Sequence, residues 1–115
     1  MRLLNITPSR LEQSLPNLGI LTNVVELSHY EMIYIYHHIH ESCEVQLRRE
    51  HNHVFDKNAV EVYFKGFKIG YISQKVNAIV AKKLDNGKRV IAKVKSIQKQ
   101  KYTPLSGLDI ELMMM

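Results

Sequence analysis

Apolar residues recur along this chain with two different periods, and the change from one to the other maps its elements. Ile20 to Leu27 is rich in branched side chains, and Glu44-Val45-Gln46-Leu47-Arg48 alternates polar and apolar, so both segments read as strands. Between them, Ile33 to His40 (IYIYHHIH) has strand propensity, and either a strand or a connecting excursion fits it. Ala59 to Phe64, then Lys65-Gly66, then Phe67 to Ile72 form the pattern of a β-hairpin, with Gly66 able to take the positive φ of a tight turn. Gly70 inside the second of these strands marks a bulge or a close approach to the backbone. By alternation Phe67, Ile69 and Tyr71 share a face, which places at least one of them in the core.

Helical spacing takes over after the hairpin. Val76, Ile79, Val80 and Leu84 fall on one face, so the chain from Ser73 to about Asn86 reads as a helix that Ser73 caps and Gly87 stops. Lys75, Lys82 and Lys83 lie on the opposite face. Arg89 to Ile97 alternates as a strand, and Leu108 to Leu112 as a last one, reached through a turn at Pro104 to Gly107. At the other end, Thr7 to Leu15 reads as a short helix with Thr7 as its N-cap and Pro8 in its first turn, stopped by Pro16. Residues 1–18 therefore form an arm before one domain spanning residues 19–115. About six short strands with one or two flanking helices predict a mainly β fold, a small antiparallel barrel whose closure removes vulnerable sheet edges.

Composition narrows the class. The 115 residues, 45% hydrophobic and 23% charged, suit one soluble globular domain. No apolar run approaches the roughly 20 residues that span a bilayer, and the N-terminus lacks the apolar core of a signal peptide, so a cytoplasmic protein without a membrane partner is expected. Cys43 is the only cysteine, which excludes an internal disulfide and a paired-cysteine zinc site and favours its packing as a small hydrophobe. The net charge of +5 favours an anionic partner. It is unevenly spread: Lys82, Lys83, Lys88, Arg89, Lys93, Lys95, Lys99 and Lys101 are set against the single acid Asp85. Such a run is either a solvated face or a binding surface for nucleic acid.

Three chemistries compete for the polar residues. All six histidines, His29, His37, His38, His40, His51 and His53, lie between positions 29 and 53. His51 and His53 could share a face and form a zinc-binding module, but no metal-site spacing is present and surface histidines are the simpler reading. No nucleophile elbow, phosphate loop or acid/base pair is recognisable, so neither an enzyme nor a bound cofactor is expected. Nucleic-acid binding explains more features together, because cationic grooves follow phosphates and aromatic faces stack bases. Tyr30, Phe55, Tyr63, Phe67 and Tyr71 are the candidate aromatics.

The segment Val45 to Val62, which contains Arg49-Glu50-His51-Asn52-His53-Val54-Phe55-Asp56-Lys57-Asn58-Ala59-Val60, resembles the HIRAN domain, as do Lys68 to Ile72 and Leu84 to Gly87 that follow. The likeness extends from about Ile20 to Leu112. It implies an OB-like barrel of the kind found alone in bacterial and phage proteins, or at the front of helicase-like remodelling ATPases, binding single-stranded DNA ends through the 3′-hydroxyl. Carried over by position, Phe55 matches the aromatic that stacks on the terminal base and Asp56 the carboxylate that accepts the terminal hydroxyl. His29 and Tyr30 resemble the pair on the first strand, and Tyr71 with Gln74 or Lys75 lies where the family lines its phosphate path. His51 and Val54 stand where the family commonly has prolines, and Phe55 lacks the hydroxyl of the usual tyrosine. Asn58 reads as structural, completing a turn with Asp56. The implied partner is a single-stranded DNA end, with RNA left open and a helicase or nuclease conceivable in trans. A protein-interaction adaptor that docks a partner through its arm or an exposed strand is the reading from a different class.

Overall fold

Six antiparallel strands close into a barrel in the order β1-β4-β3-β2-β5-β6 in the computed structural model, which describes residues 19–28, 34–100 and 103–114. They are β1 (Gly19–Val25), β2 (Glu44–Arg49), β3 (Val60–Phe64), β4 (Phe67–Ile72), β5 (Val90–Gln100) and β6 (Thr103–Met114), with one helix, α1 (Asn77–Asp85), between β4 and β5. The arm expected over residues 1–18, and with it the short helix, lies outside the described residues. Lys65 and Gly66 both adopt positive φ, 51° and 85°, the two-residue turn whose twist matches the strands it joins.

Alternation puts Leu108, Ile110 and Leu112 of β6, Ala92 and Val94 of β5, and Val60 and Val62 of β3 inside the barrel. Truncating a fully buried member such as Ile110 to alanine costs about 2–5 kcal/mol by this kind of packing loss. Between β1 and β2 the described chain is a connecting excursion and not a strand: a turn at Tyr34 and Ile35 leads into a single 3-10 turn, Tyr36–His38. Ile35 and Ile39 anchor it in the core, and Cys43 packs half-buried against the same cluster.

A bulge in β4 overturns the simple alternation expected there. The register passes from Val62 opposite Gly70 to Tyr63 opposite Lys68, which leaves Ile69 as an extra residue. Ile69 and Ile72 are therefore both buried, while Lys68 and Tyr71 come to one surface, where the Lys68 Nζ lies 2.6 Å from the Tyr71 hydroxyl. Phe67 and Tyr71 do not follow Ile69 inward. Gly70 serves the second purpose too, since β1 lies hard against it: a Cβ built there would sit 2.6 Å from both the Val24 Cγ1 and the Val25 carbonyl oxygen.

The helix begins later than Ser73. The Ser73 carbonyl accepts from the amides of Val76 and Asn77 at 3.1 and 3.0 Å, and its hydroxyl accepts from the Lys75 amide at 3.2 Å, so Ser73 organises a lead-in turn. The buried face also differs from the apolar stripe in the sequence: Ile79 is 52% exposed, whereas Asn77, Val80 and Ala81 are buried. Asn77 occupies that face because its amide has a partner there, described below. Gly87 ends the helix as expected, at φ 73°. The amides of Gly87 and Lys88 bond back to the carbonyls of Leu84 and Lys83 at 3.0 and 2.9 Å, the pairing that closes a helix through a left-handed glycine.

Replacing Gly70 with alanine forces β1 away from β4, and the expected loss is about 1–3 kcal/mol in a urea unfolding titration. A loss within about 0.5 kcal/mol, the usual range for a neutral surface change, would show that β1 does not press on this position.

Candidate nucleic-acid interface

The loop between β2 and β3 is shaped by three side chains. Arg49, at the end of β2, donates from Nη1 to the Ala59 carbonyl at 2.6 Å, from Nη2 to the Lys57 carbonyl at 3.0 Å and from Nε to Asp85 Oδ1 at 2.9 Å. These bonds draw the far end of the loop onto the C-terminus of α1, and the guanidinium keeps only 11% of its side chain exposed in doing so. The Glu50 amide closes the ring onto the Ala59 carbonyl at 3.1 Å. Within the loop, His53 Nδ1 accepts from the amides of Phe55 and Asp56, each at 3.1 Å. Two N–H donors aimed at one ring nitrogen require it to be unprotonated, which assigns the remaining proton to Nε2.

Asp56 is held from both sides. Its Oδ1 accepts from the Asn58 amide at 2.9 Å, the local turn expected of this Asp-x-Asn spacing. Its Oδ2 accepts from the Asn77 side chain at 2.8 Å and from Gln74 at 3.3 Å. The hydrogen bond from Asn58 lowers the carboxyl's pKa from its ordinary 3.8, against a smaller opposing effect of burial, with help from the bonds of Asn77 and Gln74. The carboxylate lines an open cleft of about 460 Å³ together with Tyr71, Gln74, Lys75, His53 and a second acid, Glu26. Beside it Phe55 is 90% exposed. His53 stands edge-on between two rings, its centroid 6.4 Å from that of Phe55 and 5.5 Å from that of Tyr71.

Tyr71 is itself fixed. Its hydroxyl donates to Glu50 Oε1 at 2.5 Å and accepts from Lys68, whose ammonium lies 4.1 Å from the ring centroid and 3.1 Å from Glu61. Burial and then the bond to Glu50 push the phenol's pKa upward, so it remains a donor. Burial disfavours the Lys68 ammonium, yet its bonds to Tyr71 and Glu61 outweigh that and raise its pKa. Lys68 thus pairs directly with the Glu61 carboxylate, while Glu50 is satisfied by the Tyr71 hydroxyl.

Of the residues singled out in the sequence, Asp56, Tyr71, Gln74 and Lys75 converge on the cleft and Phe55 stands exposed beside them. His29 and Tyr30 lie outside the described residues. His51 and His53 do not share a purpose: the first lies 3.8 Å from Asp85 and the second organises the loop, and among the described residues no three histidines, cysteines or carboxylates gather where a metal could bind. Sequence reasoning missed Arg49, Asn77 and the structural role of His53. The only signal for Asn77 was a polar residue three positions before Val80 at helical spacing; Arg49 and His53 carried none.

The model of the HIRAN domain matches residues 20–112, and the chain belongs to that family, whose members are in general DNA-binding modules. No curated relative matches the sequence. Among solved structures, a protein from Lactobacillus plantarum is similar at 23% identity and a TM-score of 0.69, with 85% of this chain and 96% of that one covered. The HIRAN domain of human HLTF is similar at 18% identity and a TM-score of 0.63, with 84% and 74% covered. At these identities the likeness is one of fold. No helix among the described residues is long and apolar enough to cross a membrane.

Because its pKa is lowered on folding, the Asp56 carboxyl stabilises the protein above its unfolded value of about 3.8 and loses that contribution as pH falls through its lower folded value. A carbon-detected NMR titration is expected to place its midpoint below 3.8 in the native protein, and Asn77→Ala to move it upward. A native midpoint at or above 3.8 would contradict the hydrogen-bond arrangement.

Proposed function

We propose that this chain binds single-stranded DNA at a free 3′-hydroxyl end, as a binding module that performs no chemistry on the strand. The observation that carries this reading is the hydrogen-bond inventory of Asp56. A carboxylate offers about four acceptor positions. Three are filled, by Asn58, Asn77 and Gln74, so one remains, on Oδ1, beside an open cleft.

A lone acceptor on a rigid anion suits a hydroxyl donor. A terminal phosphate has no proton to donate near neutral pH and would be repelled, and a continuing backbone would be blocked by the same charge. Phe55 supplies the flat face for the terminal base, and its exposure costs the folded protein nothing that stacking would not recover on binding. Lys75 and the second amide proton of Gln74 receive the adjoining phosphate, while the Tyr71 ring, its hydroxyl already bonded to Glu50, walls the cleft. Free 3′ ends arise in repair and at stalled replication forks, which are the settings such a module would serve.

Titration with fluorescently labelled oligonucleotides that end in a 3′-hydroxyl or a 3′-phosphate tests the reading. The hydroxyl end is expected to bind at least about tenfold tighter, a difference of about 1.4 kcal/mol. Phe55→Ala is expected to weaken the hydroxyl form by about 1–3 kcal/mol. Equal affinity for the two ends would remove Asp56 from this role.

A further inference from the structure

Resting on the reading of Asp56 as the socket for a strand end, we propose that the strand leaves the socket along the exposed face of α1, its phosphates following the lysines there. Lys75 belongs to both surfaces. It lines the cleft from the turn that leads into α1, and Ile79, Lys82 and Lys83 follow on the helix face opposite the buried Asn77, Val80 and Ala81. Lys75, Ile79 and Lys82 are exposed and Lys83 is half-buried; among the described residues none of the three lysines is paired with a carboxylate.

The neighbouring charges favour the same path. The one acid in this stretch, Asp85, is held by Arg49 at 2.9 Å with His51 at 3.8 Å, so its charge is already countered at the base of the loop. Beyond the glycine that ends the helix, Lys88 and Arg89 continue the exposed basic surface. From Asn77 to Asp85 the rise is about 12 Å at 1.5 Å per residue. A stacked strand carries a phosphate about every 3.4 Å, so this length faces roughly three of them. Ile79, exposed among the lysines, offers an apolar contact to a sugar or base. Lysines in the last turn also offset the helix dipole. If that were their whole purpose, replacing them would alter stability without altering how binding depends on strand length.

The test uses the full chain and its Lys82→Ala/Lys83→Ala double variant, with oligothymidylates of three and twelve nucleotides ending in a 3′-hydroxyl, followed by fluorescence anisotropy. Alanine is the best helix former, so the variant is expected to fold, and its melting curve verifies this. The variant is expected to lose roughly tenfold on the twelve-mer and far less on the three-mer, and its salt slope on the twelve-mer to fall by about 1.4, or about 0.7 for each of two lost phosphate contacts. Equal losses on both lengths, or an unchanged salt slope, would overturn the path along α1. The socket fails separately: if a twelve-mer with a 3′-phosphate binds the wild-type chain as tightly as the hydroxyl form, Asp56 loses its role whatever the lysines do.

Discussion

Asp56 joins three parts of the chain that the sequence keeps apart. One oxygen ties it to the turn at Asn58, and the other reaches Gln74 in the turn after β4 and Asn77 in the first turn of α1. Those bonds require the loop, the end of β4 and the head of the helix to stand in a single arrangement, and that arrangement is the cleft. Donors meet three of the acceptor positions of this half-buried anion and fix its orientation, and the number met leaves it able to take one more. The surrounding devices serve that geometry. Arg49 holds the far end of the loop against the helix, His53 fixes the backbone on either side of Phe55, and Lys68, paired with Glu61, joins Glu50 in holding the Tyr71 hydroxyl.

The barrel supplies the rigidity behind this arrangement. The bulge at Ile69 is its most consequential irregularity, because without it Lys68 and Tyr71 would point to opposite faces of β4. A single additional residue thus places the cation beside the phenol and the phenol beside the loop. Gly70 is the matching concession, allowing β1 to lie against the distorted strand where a side chain would not fit.

Much of the architecture was legible in the residues, because strand alternation, the Lys65-Gly66 turn and the Gly87 stop are local signals with local causes. The site was legible in part. Phe55, Asp56, Tyr71, Gln74 and Lys75 were named from the family pattern, and the Asp56 to Asn58 turn from spacing alone. The partners that make Asp56 rigid were not, since Asn77 belongs to a helix far along the chain and an asparagine in an apolar stripe has no preferred long-range acceptor. The same holds for Arg49, whose three partners lie on two other segments. Ile79 misled for a related reason: an apolar side chain at helical spacing was assigned to the core, while tertiary contact with Asp56 had already selected the neighbouring face. His53 was weighed as a metal ligand because sequence cannot show that its nitrogen faces two amides of its own loop.

The central claim is that the terminal nucleotide of a strand sits between the Phe55 ring and the Asp56 carboxylate. Isotope-filtered NOE spectra of the labelled protein with an unlabelled 3′-hydroxyl oligonucleotide test it most directly. The account predicts contacts from the sugar and base protons of the last nucleotide to the Phe55 ring, and contacts to Tyr71 from the last or the one before it. Contacts to Phe55 from interior nucleotides, or contacts confined to the β5 and β6 surface, would contradict it.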